Sequence, residues 1–519
     1  MLKNMKWLTL IPMLVSLPAW GAVTGFSTCE PAEGAFCSGP VNVVMGGKVY
    51  VKVSGLMEGT IDFGSPSGVQ PYKAPISLMY PADVADCSGT GIVDLVNNSG
   101  SLFLNDLGVY FPPLGIGALV LGDTYVAKRG HALASLQYQR ISSFGQDPIQ
   151  AGIDHGFYPP TAGIPAPDPA AEILASWVVL SDGAAFLRNL GSDPDFAGAC
   201  SSSKVISIGY SQSAFHQRLF SFTPQFWGTF DGNLLGAHGV SPFIGESPEG
   251  SGKSITVNNE HDVQILQSEG VRGDTDWYKV YEVAGSSHTP MEAVDIAPIL
   301  ALWGQSSRQN PVRISPVFRT MMDHLVNWID GTSTPPPSAY LDASSNPNTH
   351  PECVVGSAEN LFEADGAPTM NDVYLDCPRD PAKGNALSGG IRLPHVVTEV
   401  DGELAGAPLG NYGGVEPASP YLFAGILPNI SFIPVSGGSY SRYTDQELTQ
   451  RYGVFQKSMI DDALSGPYLG SVARAAEYAE SQGWINEEEK RAYIKTAQDC
   501  ARGKAASLSS EDLLACHGI

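Results

Sequence analysis

Basic side chains are scarce in this sequence. The 519 residues include 29 lysines and arginines against 53 acidic residues, which gives a formal net charge of −24. Proteins bind phosphate groups mainly through lysine and arginine, so this balance argues against a nucleic-acid partner. Anionic membrane surfaces are disfavoured for the same reason, and the acidity mainly favours solubility.

Long apolar runs are lacking beyond the N-terminus. A membrane-spanning helix needs about 18 apolar residues, and no later stretch approaches that length. The N-terminus carries Lys3 and Lys6, a short proline-interrupted apolar stretch, and then the small residues Gly21 and Ala22. This order is typical of a secretory signal peptide over residues 1–22; an uncleaved anchor helix is the alternative. We therefore expect a secreted or periplasmic protein with no integral membrane segment in the mature chain.

Metal-binding patterns are also missing, since no CxxC pair or Cys/His cluster has the spacing of a zinc site. The eight cysteines instead fit an oxidising compartment, where an even number suggests disulfides. Eight cysteines allow 105 pairings, and some could be free. Neighbouring cysteines pair most easily, which favours three disulfides: Cys29–Cys37, Cys353–Cys377 and Cys500–Cys516. This would leave Cys87 to pair with Cys200.

Internal repeats and low-complexity tracts are absent, and 43% hydrophobic with 16% charged residues is a globular composition. Strand-like and helix-like segments alternate over much of residues 23–335. Such alternation predicts an α/β fold, with a mostly parallel sheet covered by helices on both faces. A strand–Gly-Gly–strand hairpin is expected at 41–55, and helices at 170–190 and 316–331.

A different composition follows the proline-rich stretch 332–340, which is a linker candidate. We assign 23–335 to the core with an N-terminal β region, and 336–519 to a C-terminal extension packed on that core. The extension is loop-rich over 341–440 and helical over 444–512. Thr444 and Asn486 fit helix starts, the first in a capping box and the second as an Asn cap.

The most informative stretch is VISIGYSQSAFHQRL at 205–219, where an apolar strand runs through GYSQS into a helix. Gly209-Tyr210-Ser211-Gln212-Ser213 matches the G-x-S-x-G nucleophile elbow, except that serine replaces the last glycine. The small residues before and after Ser211 allow strand and helix to approach each other at a strained turn. We interpret Ser211 as a nucleophile; an ordinary strand–helix turn is the alternative.

A serine nucleophile needs a base, and in this architecture the order along the chain is serine, acid, histidine. His288 lies just after the expected strand WYKVYEVA, at the edge where active sites of open α/β sheets collect. Glu260 and Asp262 both follow the preceding strand, and either could orient the imidazole. Asp262 is the preferred acid, and Glu260 stays open as the alternative.

The oxyanion of an acyl-transfer intermediate needs hydrogen-bond donors. The backbone N–H of Gln212, directly after Ser211, is the first candidate. The second should follow an earlier strand, and Asn98 in IVDLVNNSGS is the single best choice. Removing one such donor typically costs a hundred- to a thousandfold in turnover.

These residues resemble the α/β-hydrolase superfamily, and more narrowly bacterial "α/β hydrolase domain-containing" proteins. The family's GxSQSGR elbow followed by FDG is matched by GYSQSAF and then Phe230–Gly232. Its ExDV, DTD…H and GN…GGIRxP patterns are matched at three further places in the same order: 260–263, 274–288 and 384–394. One departure is that Ala214 and Phe215 stand where the family has Gly-Arg.

This resemblance covers residues from about 70 to 500 and implies an α/β-hydrolase fold with serine hydrolase activity. Arg392 of the last pattern could bind a substrate carboxylate, although a structural ion pair is the favoured reading. We expect an exported carboxylic ester hydrolase that acts on a small-molecule or polymer ester without a cofactor or metal. Peptidase, lactonase and acyltransferase activities with the same triad, or a non-catalytic binding module, are the alternatives. The sequence predicts no oligomeric state.

Overall fold

The computed structural model describes residues 21–29, 31–64, 66–97, 115–139, 147–165, 169–238, 247–265, 274–288, 310, 312–341, 354–357, 373–376, 386, 389–394, 396, 398–401, 403–406, 410–413, 439–442 and 469–503. These residues fall into two compact units. The first runs to His238 and includes Ser247–Ser254, and the second begins at Ile255.

The described residues of the first unit include eight strands of one sheet. They are β1 (Gly21–Thr28), β2 (Ser38–Met45), β3 (Lys48–Asp62), β4 (Val69–Pro81), β5 (Thr90–Leu95), β6 (Ala132–Leu136), β7 (Lys204–Tyr210) and β8 (Gly232–Gly236). Their order in the sheet is β1-β3-β4-β6-β5-β7-β8, and β2 pairs with β3 beside β1.

The sheet is antiparallel at its N-terminal side and parallel where the functional residues lie. β1, β2 and β4 each pair antiparallel with β3, and β4 pairs antiparallel with β6. From β6 through β5 and β7 to β8 every pairing is parallel, with Ile92 opposite Ile206 and Ile208 opposite Leu234. The predicted parallel sheet is therefore present, and the N-terminal β region extends it.

The predicted hairpin at 41–55 is formed by β2 and β3. Met45 pairs with Lys48 across the turn, and Gly46 and Gly47 both have positive φ, of 58° and 83°. A two-residue turn of this kind requires positive φ at both central positions, which is why glycine suits it.

In the part of the first unit that the structure describes, five helices accompany these strands: α1 (Ile116–Leu121), α2 (Asp123–Arg129), α3 (Pro148–Asp154), α4 (Pro169–Asn189) and α5 (Gln212–Ser221). The predicted helix at 170–190 is α4, which packs against β1, β3, β5, β6 and β7. Trp177 on α4 meets the rings of Phe220 and Phe226, while Phe186 meets Phe26 and Phe196. This aromatic packing fixes α4, and α5 with it, over the sheet.

Judged by length and composition alone, one helix among the described residues is long and apolar enough to cross a bilayer. It covers Ala171–Ser192, which is most of α4 and the turn that follows it. Its mean hydropathy is 1.2, and 72% of the apolar window is buried inside the protein. Core helices that pack on a sheet pass the same test, so this is weak evidence for a membrane span.

Two predicted disulfides are confirmed, both in the first unit. Cys29 bonds to Cys37, and Cys87 bonds to Cys200 across 113 residues of sequence. Cys353, Cys377, Cys516 and the side chain of Cys500 lie outside the described residues, so those two pairs stay predictions.

The second unit contains the neighbouring strands β9 (Lys253–Asn259), which begins on the last residues of the first unit, and β10 (Tyr278–Val283). Beyond β10, Ala339 bridges to Tyr281 and Ile391 bridges to Val283, both in parallel. Three antiparallel strand pairs follow among the described residues: β11 (Val354–Ser357) with β12 (Val373–Asp376), β13 (Thr398–Val400) with β14 (Glu403–Ala405), and β15 (Gly410–Gly413) with β16 (Ser439–Arg442).

Four helices lie among the described residues of this unit: α6 (Glu260–Ile265), α7 (Ser315–Ile329), α8 (Leu469–Ser481) and α9 (Glu487–Gly503). The predicted helix at 316–331 is α7. Asn486 caps α9 as expected, because its side chain accepts from the Glu489 N–H at 3.0 Å. An ion pair of 3.0 Å between Arg319 and Glu489 joins α7 to α9. The helix start expected at Thr444 lies outside the described residues.

Candidate active site

Ser211 occupies a strained turn between β7 and α5. Its φ is 59° and its ψ is −124°, and it directly precedes the first residue of the helix. Among the described non-glycine residues only Ala237 and Asp401 share a positive φ. Such a backbone costs about 1–3 kcal/mol and persists only where its surroundings impose it. The strand–turn–helix predicted from the sequence is therefore present, with the serine at its sharpest point.

The neighbours of Ser211 explain how the turn is tolerated. A Cβ on Gly209 would lie 2.8 Å from the backbone N and Cα of Ala214. Glycine at 209 therefore lets β7 and α5 approach closely, and Ala214 is fully buried against that contact. The small side chain of Ala214 suits this close approach.

Ser213, the departure from the G-x-S-x-G pattern, braces the turn. Its hydroxyl donates to the Tyr210 carbonyl at 2.9 Å and accepts from the Tyr210 N–H at 2.9 Å. The side chain is fully buried, so both hydrogen bonds are shielded from water. A glycine at this position could make neither of them.

A residue just after β5 also stabilises the turn at Ser211. Asn97 is buried and donates from Nδ2 to the Tyr210 carbonyl at 2.9 Å. The sequence instead predicted its neighbour Asn98 as the second oxyanion donor, and Asn98 lies outside the described residues. Asn97 was missed; the pair of asparagines directly after a buried strand was the available signal.

Gln212 is the first residue of α5 and is half-buried. The first four N–H groups of a helix have no acceptor within the helix. The Gln212 N–H, directly after Ser211, is one of these four groups. The side-chain Oε1 of Gln212 is buried and has no hydrogen-bond partner among the described residues.

His288 and Asp262 form a buried pair in the second unit. Nδ1 of His288 lies 2.6 Å from Oδ1 of Asp262, and the other carboxylate oxygen accepts from the Asn259 N–H at 3.1 Å. Burial acts to raise the pKa of Asp262, but the neighbouring His288, with smaller contributions from His261 and the Asn259 N–H, holds it below its usual value. The carboxylate is thus ionised and engaged at the imidazole.

Glu260 makes different contacts, although it stands only two residues before Asp262. Its Oε2 accepts from the Gly285 N–H at 2.7 Å, and its own N–H donates to the Ser286 hydroxyl at 3.3 Å. Glu260 therefore holds the loop that leads from β10 to His288. Of the two predicted acids, the structure brings Asp262 to the His288 ring.

His261 is a further buried residue here that the sequence did not single out as a candidate. Its ring centroid lies 5.4 Å from that of His288. Donor atoms of His261, Asp262 and His288 lie within 4.8 Å of one another, a spacing that could hold a metal ion. A metal bound through His288 Nδ1 would displace the hydrogen bond to Asp262, so the donor set fits a histidine–carboxylate pair better.

Arg392 is buried, with 7% of its surface exposed. It follows Ile391, whose N–H donates to the Glu282 carbonyl at 2.7 Å and whose carbonyl accepts from the Ala284 N–H at 2.9 Å. The GGIRLP stretch thus continues the sheet beyond β10. The expectation of a structural role or a carboxylate-binding role for Arg392 stays a prediction.

Comparisons with known proteins found similar solved structures and one family match. Among similar solved structures are a glucuronoyl esterase from Solibacter usitatus (19% identity, 44% of this chain and 58% of that chain, TM-score 0.24), a glucuronoyl esterase from Teredinibacter turnerae (14%, 45% and 52%, 0.23) and the rice cell wall degrading esterase LipA from Xanthomonas oryzae (14%, 43% and 50%, 0.22). The chain thus spans between half and three-fifths of each of these proteins.

A search of curated proteins found no match. Every TM-score given above is below 0.5, so the assignment of the fold rests on the family match and on the strand order. Residues 48–495 match the family described as "Alpha/beta hydrolase domain". Because that match covers most of the chain, the protein belongs to the alpha/beta hydrolase domain family.

Proposed function

We propose that this protein is an exported serine hydrolase that cleaves carboxylic esters, with Ser211 as its nucleophile. The observation that carries the proposal is the positive φ of Ser211 at the junction of β7 and α5. A serine held in this backbone conformation presents its hydroxyl outward from the carboxyl end of a strand. Gly209, Ser213 and Asn97 support the same turn, which argues for selection of the conformation.

His288 is proposed as the general base and Asp262 as the residue that orients it. The 2.6 Å contact at Nδ1 fits a proton held between the ring and the carboxylate, which leaves Nε2 free of that proton and basic. A carboxylate whose pKa lies below its usual value remains ionised at neutral pH. It therefore stabilises the imidazolium that forms when His288 takes the serine proton.

In the proposed reaction, the Ser211 Oγ attacks the acyl carbon as its proton passes to His288. The N–H of Gln212, with a second donor after β5 for which Asn98 remains the proposal, binds the oxyanion. His288 returns the proton to the departing alcohol, which leaves an acyl-serine. Water then attacks through the same base, and the carboxylic acid and free serine are released.

Export is proposed from the N-terminal pattern at 1–22 and from the disulfides. Disulfides persist in oxidising compartments, such as the periplasm and the outside of the cell. The confirmed Cys29–Cys37 and Cys87–Cys200 pairs fit that location. We likewise propose 23–335 as the hydrolase core and 336–519 as its C-terminal extension.

The proposal is tested with a panel of acyl esters of increasing chain length. Wild type should hydrolyse at least one ester, and Ser211→Ala should lose that activity by several orders of magnitude. Ser213→Ala is the matched control, since it removes a neighbouring hydroxyl and should weaken the turn without abolishing turnover. Hydrolysis that survives unchanged in Ser211→Ala would contradict the proposal, and a wild type without ester hydrolysis would favour a binding module.

A further inference from the structure

Phe215 is an exposed aromatic side chain one helical turn after Ser211. The Phe215 N–H donates to the Ser211 carbonyl at 3.0 Å, which closes the first turn of α5. Helical side chains lean toward the N-terminus of their helix, so the ring lies over the turn that begins at Ser211. Four residues of helix correspond to a rise of about 6 Å along the helix axis. Phe215 is therefore within substrate range of the proposed nucleophile.

The burial pattern of α5 is inverted around this residue. Gln217 and Arg218 are buried at 1% exposure, whereas Phe215 is 37% exposed. Exposed large apolar side chains beside buried polar ones are the informative exceptions to ordinary burial. More than a third of the Phe215 side chain therefore faces solvent, one helical turn from Ser211.

Among the described residues, aromatic rings lie next to Phe215. Its ring lies 6.3 Å from that of His216, which in turn lies 6.4 Å from the buried ring of Tyr138. Burial lowers the pKa of His216 to about 4, so this imidazole is neutral near pH 7. Gln139 Nε2 donates to its Nδ1, as expected for the neutral ring. Phe215 is therefore the surface-exposed end of a row of three neutral rings: Phe215, His216 and Tyr138.

An exposed phenylalanine offers apolar surface and no charge to a bound substrate. The net charge of −24 further disfavours anionic substrates. We propose that Phe215 contacts the apolar acyl group of the ester and makes this enzyme selective for neutral over anionic acyl chains. This inference rests on the proposed esterase function of Ser211.

Three p-nitrophenyl esters test it: the acetate, the hexanoate and the monoester of adipic acid, which has a six-carbon chain ending in a carboxylate. Wild type should prefer hexanoate over the adipate monoester. Phe215→Ala should lower kcat/KM for hexanoate about tenfold while acetate changes little, because apolar contact is lost only with the longer chain. Phe215→Arg should shift the ratio of hexanoate to adipate about tenfold toward adipate.

Trp227→Ala is the matched control. Trp227 is 44% exposed and lies beyond the far end of α5, so its loss should leave the substrate ratios unchanged. Phe215→Leu, which stays apolar, should retain the hexanoate preference and replaces the alanine variant if that variant does not fold.

Three outcomes overturn the inference. Equal losses on acetate and hexanoate in Phe215→Ala, or the same ratio change in Trp227→Ala, overturn it while the esterase function stands. Ester hydrolysis that does not depend on Ser211 overturns both, and the Ser211→Ala variant identifies that case.

Discussion

The buried carboxyl group of Asp94 should make the stability of this protein depend on pH. Asp94 lies on β5 with no exposed surface. The Ser135 hydroxyl donates to one of its oxygens at 2.9 Å, and the Ala118 N–H donates to the other at 3.2 Å. Burial raises the pKa from 3.8 to about 7, although these two hydrogen bonds act to lower it.

The sign of the effect follows from proton binding. Asp94 in the folded protein keeps its proton to a higher pH than Asp94 in the unfolded chain does. Its contribution to the free energy of unfolding, relative to high pH, is therefore complete below pH 3.8. That stabilisation is lost as the pH rises through about 7. The pKa difference corresponds to about 4 kcal/mol in the free energy of unfolding, of which about 3 kcal/mol falls between pH 5 and pH 8.5.

Thermal unfolding at pH 5 and pH 8.5 measures this contribution. Asp94→Asn has the same shape but no proton to lose, so its Tm should fall less than that of wild type over this range. For cooperative units of this size, about 3 kcal/mol corresponds to about 6 to 12 °C. Ser135→Ala removes a hydrogen bond that lowers the pKa, so its Tm should fall more steeply than wild type.

Equal falls in Tm for wild type and Asp94→Asn would refute this reasoning. They would mean that Asp94 titrates alike in the folded and the unfolded chain, so that burial does not govern its charge.

Three further predictions concern the proposed site and the disulfides. Asp262→Asn should lower kcat by about 10⁴-fold, whereas Glu260→Gln, which can still accept from a backbone N–H, should cost less than about tenfold. An equal loss in both would contradict the assignment of the acid. Ser213→Gly should lower the free energy of unfolding by about 1–2 kcal/mol, measured by denaturant titration, since two buried hydrogen bonds disappear. Replacing Cys87 and Cys200 with serine should cost about 5 kcal/mol in the same assay, because that bond spans 113 residues; no change would contradict the pairing.

Local patterns predicted the parts of the fold that local physics decides. The Gly46-Gly47 turn, the apolar helix α4 and the strand–serine–helix passage at Ser211 each depend on a few adjacent residues, and each is present. Cys87–Cys200 was predicted by elimination alone, because nothing local relates residues 113 positions apart.

The contacts of the two candidate acids were harder to predict. Glu260 and Asp262 both follow β9, and the sequence places them at the same edge. Helix α6 begins at Glu260, and residues two apart on a helix point to different sides. Their carboxylates therefore meet different partners, the Gly285 N–H and His288.

Asn97 escaped sequence reasoning for a different reason. Its amide meets the Tyr210 carbonyl, 113 residues later. Only the parallel pairing of β5 with β7 brings these positions together. The pair of asparagines after β5 marked the position, but no local pattern could have identified Tyr210 as the partner of Asn97.

Covalent labelling tests the central claim, the nucleophilic role of Ser211, most directly. A fluorophosphonate probe reacts with activated serines, and peptide mass spectrometry locates the modified residue. Wild type should carry one label, on Ser211, and Ser211→Ala should carry none. A label on another serine, or unchanged labelling of Ser211→Ala, would contradict the account.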